Sequence, residues 1–215
     1  MVKLVIFDLD GTLLNTIKDL GVSANYVLGR RGYPQHELSK YRYFVGNGIA
    51  KLLERALPEE CRTKENVIDI KKDFMDYYSA HKADFTVPYQ GIVPLLKELK
   101  EKGISLAVAS NKYNSATTEL ITHYFGSGFF DFVYGQREGI AVKPDPTVVF
   151  DILKDAGLPK EDALYVGDSG VDMQTALNSG VRSVGVTWGF RDREELSANG
   201  ACHIVDHPSE ILQIV

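Results

Sequence analysis

Leu4-Val5-Ile6-Phe7-Asp8-Leu9-Asp10-Gly11-Thr12 is the stretch on which the reading of the whole chain turns. Four apolar residues in an unbroken row predict a strand buried on both faces, the pattern of a parallel sheet covered by helices. The row ends at once in two carboxylates and a glycine. In open parallel sheets, ligands gather beyond the carboxyl ends of the strands. Asp8 and Asp10 therefore stand where chemistry is expected.

Downstream the pattern changes. Residues 16–82 read as three helical stretches, near 20–31, 48–57 and 65–82, with no convincing strand. Gly32 and Pro34 stop the first. In the second, Ile49, Leu52, Leu53, Ala56 and Leu57 recur at helical spacing before Pro58. From residue 88 onward, helices and strands alternate. Helices are predicted at 93–102, 115–124, 146–156 and 171–179. Strands are predicted at 104–109, 132–134, 163–166 and 181–187. Alternation with short turns implies βαβ units and a mainly parallel sheet. The expected organisation is an α/β core from residues 1–15 and 84–215, with residues 16–83 inserted after the first strand as a helical domain. There are no internal repeats and no low-complexity segment.

Composition limits the function. Twenty-nine acidic residues against 24 Lys and Arg give a net charge of −5. That argues against a nucleic-acid partner, because a phosphate backbone rewards a basic face. No apolar run approaches the roughly 18 residues of a membrane span. The N-terminal apolar run meets Asp8 too soon for a signal peptide. Cys61 and Cys202 form no metal-type spacing and suit a reducing compartment. The five histidines are scattered. A cytoplasmic protein, monomeric or homodimeric, is expected.

This topology brings other groups to join Asp8 and Asp10 at one edge of the sheet. Ser110 follows the second core strand. Asp168 follows a later one, with Asp172 one helical turn on. Carboxylates crowded together repel unless a cation sits among them. All-oxygen sites suit hard ions such as magnesium. Lys143, in Lys143-Pro144-Asp145-Pro146, becomes a candidate for charge balance and phosphate binding.

These residues, in this order, resemble the haloacid dehalogenase superfamily. Asp8-Leu9-Asp10-Gly11-Thr12 is similar to its first motif, DxDGT. Ser110-Asn111 resembles the second motif and Lys143 the third. Gly167-Asp168-Ser169-Gly170-Val171-Asp172 resembles the fourth, GDxxxD. The resemblance implies a Rossmann-like core and magnesium-dependent phosphate chemistry. Asp8 would be the nucleophile, and Asp10 the general acid and then the general base. Ser110, Asn111, Lys143 and the Gly11-Thr12 turn would hold the phosphoryl group. Asp8, the Asp10 carbonyl, Asp168 and Asp172 would serve the metal, Asp172 directly or through water. The presence of Asp10 favours phosphate transfer over halide displacement.

The helical insertion resembles the family's cap, which suits small substrates. Phe44-Val45-Gly46-Asn47-Gly48, Ser110-Asn111-Lys112 and Thr187-Trp188-Gly189-Phe190 resemble the phosphoglycolate phosphatase branch. On that likeness, Gly46, Asn47 and Gly48 at a helix N-terminus would meet a substrate carboxylate, with Lys51 and Arg55 as anion partners. Asn15 stands where relatives often carry an acid, at the expected cap hinge. Other readings are a phosphomutase similar to beta-phosphoglucomutase, a pyrophosphatase or nucleotidase on the same scaffold, and a non-catalytic binding protein.

Overall fold

The computed structural model describes residues 1–215. In chain order the elements are β1 (Leu4–Phe7), β2 (Leu14–Asn15), α1 (Ile17–Arg30), α2 (Tyr41–Phe44), α3 (Ile49–Ala56), α4 (Lys64–His81), β3 (Val87–Pro88), α5 (Ile92–Glu101), β4 (Ser105–Tyr113) and α6 (Asn114–Phe125). They continue with β5 (Phe132–Gln136), α7 (Thr147–Ala156), β6 (Ala163–Gly167), α8 (Gly170–Ser179), β7 (Arg182–Val186), α9 (Arg193–Ala198) and β8 (His203–Val205). No helix is long and apolar enough to cross a membrane.

Two compact units result: Met1–Asn15 with Pro88–Val215, and Thr16–Val87. In the first, a six-stranded sheet runs β5-β4-β1-β6-β7-β8. All five neighbouring pairs are parallel. β1 pairs with β4 on one side and β6 on the other, which is why its four residues are all apolar and all buried. Successive side chains point to opposite faces. Val5 and Phe7 join Leu106, Val108, Leu164 and Val166 in one core, beneath α5 and α6 residues such as Leu96 and Leu120. Leu4 and Ile6 join Ala107, Ala109, Ala163 and Tyr165 in the other, beneath α7 and α8 residues such as Val149, Ile152 and Ala176. The chain builds outward from β1 in one direction and then the other, creating the crevice where such sheets bind ligands.

The helical unit has its own core, including fully buried Tyr41, Phe74 and Tyr78. Residues 84–87 belong to it, whereas the sequence pattern places them in the core. The cause is Asp19, 2% exposed. Its carboxylate accepts hydrogen bonds from Phe85 N (3.0 Å), Thr86 N (2.8 Å) and Thr86 Oγ1 (2.7 Å). A buried carboxylate needs such partners, and these tie the returning strand to α1.

Three other features depart from the sequence reading. β4 continues past Asn111: its ladder shifts register after Ala109 and resumes where Tyr113 pairs with Gln136. The short helix α2 has too few residues to show a period. α9 and β8 follow the last predicted strand. α9 starts where the Asp192 side chain accepts from Glu195 N at 2.9 Å, an N-cap that fixes a helix of only six residues.

Candidate active site

Asp8 follows β1, Ser110 lies on β4, and Asp168 follows β6, so three strand ends supply the site. Lys143 arrives from the loop between β5 and α7. Both backbone groups of that lysine pair with the Asn111 side chain: Lys143 N donates to Oδ1 at 2.8 Å, and Nδ2 donates to Lys143 O at 3.1 Å. Asn111, expected on the phosphate, thus holds the lysine loop.

The Lys143 ammonium, with 2% of its side chain exposed, sits among four acceptors. Asp172 Oδ1 lies at 2.7 Å, Asp8 Oδ1 at 2.8 Å, Ala109 O at 2.9 Å and the Tyr165 hydroxyl at 3.0 Å. Burial opposes its charge, but Asp172 and Asp8 outweigh that and raise its pKa well above the ordinary value. Burial pushes Asp8 the other way for an acid, up to about 7, helped by the charges of Asp172 and Asp10 and opposed by Lys143. Asp168 is also raised, by burial and then by Asp172 and Asp8.

Asp172 divides its two oxygens. Oδ2 accepts from Ser169 Oγ at 2.6 Å and Ser169 N at 3.1 Å, closing the start of α8. Oδ1 takes Lys143 and the Tyr165 hydroxyl, the latter at 3.3 Å. Asp168 accepts from Phe190 N at 2.7 Å and Thr12 Oγ1 at 3.3 Å. Thr12 is fully buried, so its hydroxyl braces Asp168. Trp188 Nε1 donates to Thr12 O at 3.1 Å, tying the loop after β7 to the turn after β1.

Two glycines leave room for Asp168. Gly11 has φ +94°, and a Cβ there would meet Asp168 Oδ2 at 2.3 Å. A Cβ on Gly189 would meet Asp168 Cβ at 2.3 Å and Gly11 O at 2.4 Å. Neither neighbour is a mobile side-chain tip. Gly189→Ala is therefore expected to displace Asp168, with a stability loss of about 1–3 kcal/mol from overpacking and a tenfold or greater loss of catalytic efficiency. Thermal melts and steady-state kinetics check this; wild-type values for both would mean the contact is slack.

The carboxylates Asp8, Asp168 and Asp172 offer ligand atoms that all lie within 4.8 Å of one another. Together with Asp10 they outnumber the buried lysines Lys143 and Lys112. Excess buried negative charge, raised carboxylic pKa values and an all-oxygen donor set fit a divalent cation.

Lys112 and Tyr165 complete the site; in the sequence Lys112 stands out only as part of the Ser110-Asn111-Lys112 likeness, with no role, and Tyr165 not at all. Lys112 Nζ lies 3.0 Å from Asp10 Oδ2. Tyr165 reads as an ordinary buried strand residue, and only the three-dimensional approach of Lys143 gives its hydroxyl a role.

Among the residues expected to meet an anion from the helical unit, Arg55 donates to Phe44 O at 2.9 Å and Asn47 Oδ1 at 2.8 Å. Its observed role is to bracket the loop that holds Gly46 (φ +118°) and Gly48 (φ +82°). Lys51 pairs with Glu54 at 2.8 Å on an exposed helix face.

A parallel α/β core whose strand ends gather Asp8, Asp10, Lys143, Asp168 and Asp172 defines a hydrolase of the haloacid dehalogenase-like family, and the chain belongs to it: the family's sequence profile matches residues 5–186. Among curated relatives, a phosphoglycolate phosphatase of Pseudomonas syringae pv. tomato is 34% identical over 211 residues, covering 95% of this chain and 76% of the relative. A phosphoglycolate phosphatase of Vibrio parahaemolyticus is 30% identical over 222 residues, covering 100% of this chain and 96% of the relative. A crystal structure of a predicted phosphoglycolate phosphatase from Haemophilus somnus superposes with TM-score 0.92 at 29% identity, covering 99% of this chain and 97% of that one.

Proposed function

We propose that this chain is a magnesium-dependent phosphatase that hydrolyses a small phosphate monoester, 2-phosphoglycolate by preference, through an aspartyl-phosphate on Asp8. The observation that carries the reading is the placement of Asp8, at the end of the central strand, against Lys143 and within the group of buried carboxylates. The names of the relatives support the substrate.

In the first half-reaction an Asp8 carboxylate oxygen attacks phosphorus. The bond from phosphorus to the ester oxygen breaks, and Asp10 gives that oxygen its proton. In the second half, Asp10 takes a proton from water as the water attacks phosphorus. The acyl-phosphate bond breaks, releasing inorganic phosphate and restoring Asp8. Lys143 and Ser110 neutralise and orient the phosphoryl oxygens, the main demand of phosphoryl transfer. Asp8, Asp168, the Asp10 carbonyl and Asp172 would hold Mg2+, which supplies charge neutralisation between the anionic nucleophile and the anionic ester. Asp172, with its Oδ1 on Lys143 and its Oδ2 on Ser169, would support that site directly or through water.

The test is phosphate release, with and without Mg2+, from 2-phosphoglycolate, beta-glucose-1-phosphate, pyrophosphate and nucleoside monophosphates. Magnesium-dependent preference for 2-phosphoglycolate is the expected result. Turnover of another ester alone rejects the substrate and keeps the chemistry, and no turnover of any rejects both.

A second expected result concerns stability. Asp8 titrates near 7 in the folded protein against an ordinary 3.8. Between those values the folded state holds a proton that the unfolded chain has lost, so this group makes stability fall as pH rises. A cation favours the ionised form and reverses the loss. The rise in melting temperature on adding Mg2+ should therefore be several degrees at pH 8 and near zero at pH 5. An equal rise at both would place the ion elsewhere.

A further inference from the structure

Lys112 lies outside every role derived above, yet it is one of the most enclosed cations in the molecule. Only 2% of its side chain is exposed, and its ammonium pairs with Asp10 Oδ2 at 3.0 Å, where the Asp10 side chain is 12% exposed. A lysine is almost never this buried without a partner that repays its desolvation. Its backbone is fixed on both sides. Lys112 N donates to Ser110 Oγ at 3.2 Å, and Lys112 O accepts from Thr117 Oγ1 at 3.2 Å. The ammonium is thus projected from a pinned stretch of β4 toward the turn that follows β1.

We propose that Lys112 is a positioning residue for Asp10: it anchors the carboxyl group through Oδ2 and so assigns the proton traffic of both half-reactions to Oδ1. This rests on the reading of Asp10 as general acid and base. The physical reason is geometric. A carboxylic acid can accept a hydrogen bond on one oxygen while it exchanges a proton through the other. An aspartate on a turn has freedom about two side-chain bonds. Holding one oxygen removes most of that freedom, and proton transfer demands hydrogen-bond reach to the ester oxygen. Lys143 does not take this place, because its ammonium lies against Asp8, Asp172, Ala109 and Tyr165.

The experiment compares kcat/KM, which reports the steps through Asp8 phosphorylation, for an alkyl phosphate and for p-nitrophenyl phosphate. The alkyl ester needs a proton on its leaving oxygen, and nitrophenolate does not. Lys112→Met should lower kcat/KM for the alkyl ester roughly ten- to a hundredfold, within the range general-acid catalysis supplies, and lower it much less for p-nitrophenyl phosphate. In an Asp10→Asn background, where the buried charge partner is also gone, adding Lys112→Met should cost nothing further. Equal losses on both esters, or a full additional loss in the Asp10→Asn background, overturns the proposal and makes Lys112 a structural residue or a phosphate ligand. If Asp10→Asn alone shows no leaving-group dependence, the reading of Asp10 itself fails, a result distinct from failure of the Lys112 assignment.

Discussion

Asp8→Asn is expected to abolish phosphate release, with kcat falling by roughly 10^4 or more, the scale seen when a covalent nucleophile is removed. The variant should stay folded. Asparagine has the same shape, and its amide oxygen can still accept from Lys143, which now donates to Asp8 Oδ1 at 2.8 Å. It should also be slightly more stable than the native protein without metal at pH 8. Ionised Asp8 is held there against burial and against the charges of Asp172 and Asp10, as its pKa of about 7 records. An uncharged group at that position escapes the penalty. The expected pattern is thus dead but stable, with a smaller melting-temperature response to Mg2+ because one of the carboxylates proposed to hold the ion has gone. Rapid-quench assays and thermal melts at two pH values measure all three quantities. Retained turnover would exclude a covalent role for Asp8, whatever the stability did.

The residues of this site that were legible in the sequence share one property: each lies in a short motif whose meaning is local. Asp8 and Asp10 end an apolar row, and that row is apolar because β1 is covered on both faces. Asp168 directly follows a strand end, and Asp172 lies in the first turn of the helix after it. Lys143 stands before a proline-marked helix start. What stayed hidden depends on register between distant segments. Tyr165 looks like any buried strand residue. It acquires its role because β6 lies beside β1, with Tyr165 in register with Ile6, and because Asn111 holds the Lys143 loop over that strand. Lys112 stands two residues beyond a recognised serine, and its partner is 102 positions earlier in the chain, so no spacing rule connects them.

Some residues expected to meet the substrate also brace the protein itself. Thr12 belongs to a motif associated with phosphate, but its hydroxyl donates to Asp168. Arg55 has the charge for an anion partner, and it donates to the Phe44 carbonyl and to Asn47 Oδ1, bracketing the loop between them. Burial of backbone groups creates demand for donors, and a nearby guanidinium meets it. The boundary of the helical unit moved by the same logic: the Asp19 carboxylate collects Phe85 and Thr86, and nothing in the composition of residues 84–87 announces it.

Lys143→Met should be the most damaging single change to stability at this site, and should also cost most of the activity. Methionine matches the length and the apolar stem of lysine but brings no charge. Asp8 and Asp172 would then stay buried without the ammonium that lies 2.8 and 2.7 Å from them. Breaking a buried pair by removing one partner costs about 3–5 kcal/mol, or roughly 10 °C in a chain of this size. The sign of the pH dependence follows from Asp8, whose folded-state pKa is already raised by burial. Without Lys143, which opposes that rise, it climbs further, so the folded variant holds a proton that the unfolded chain has lost over a wider range. Its deficit should be largest near pH 8 and shrink toward pH 5, where Asp8 takes up a proton and sheds its buried charge. Mg2+ should recover part of the stability, because a cation replaces a cation among the carboxylates. It should not recover turnover: in the proposed mechanism the ammonium also neutralises the phosphoryl group, and removal of one such fixed electrostatic partner costs on the order of 10^2–10^3 in rate. Denaturant titrations at both pH values, with and without Mg2+, separate the two roles. If the variant proves as stable as the native protein at pH 8, the buried acids are compensated by something other than Lys143, and the charge balance proposed for the site is wrong.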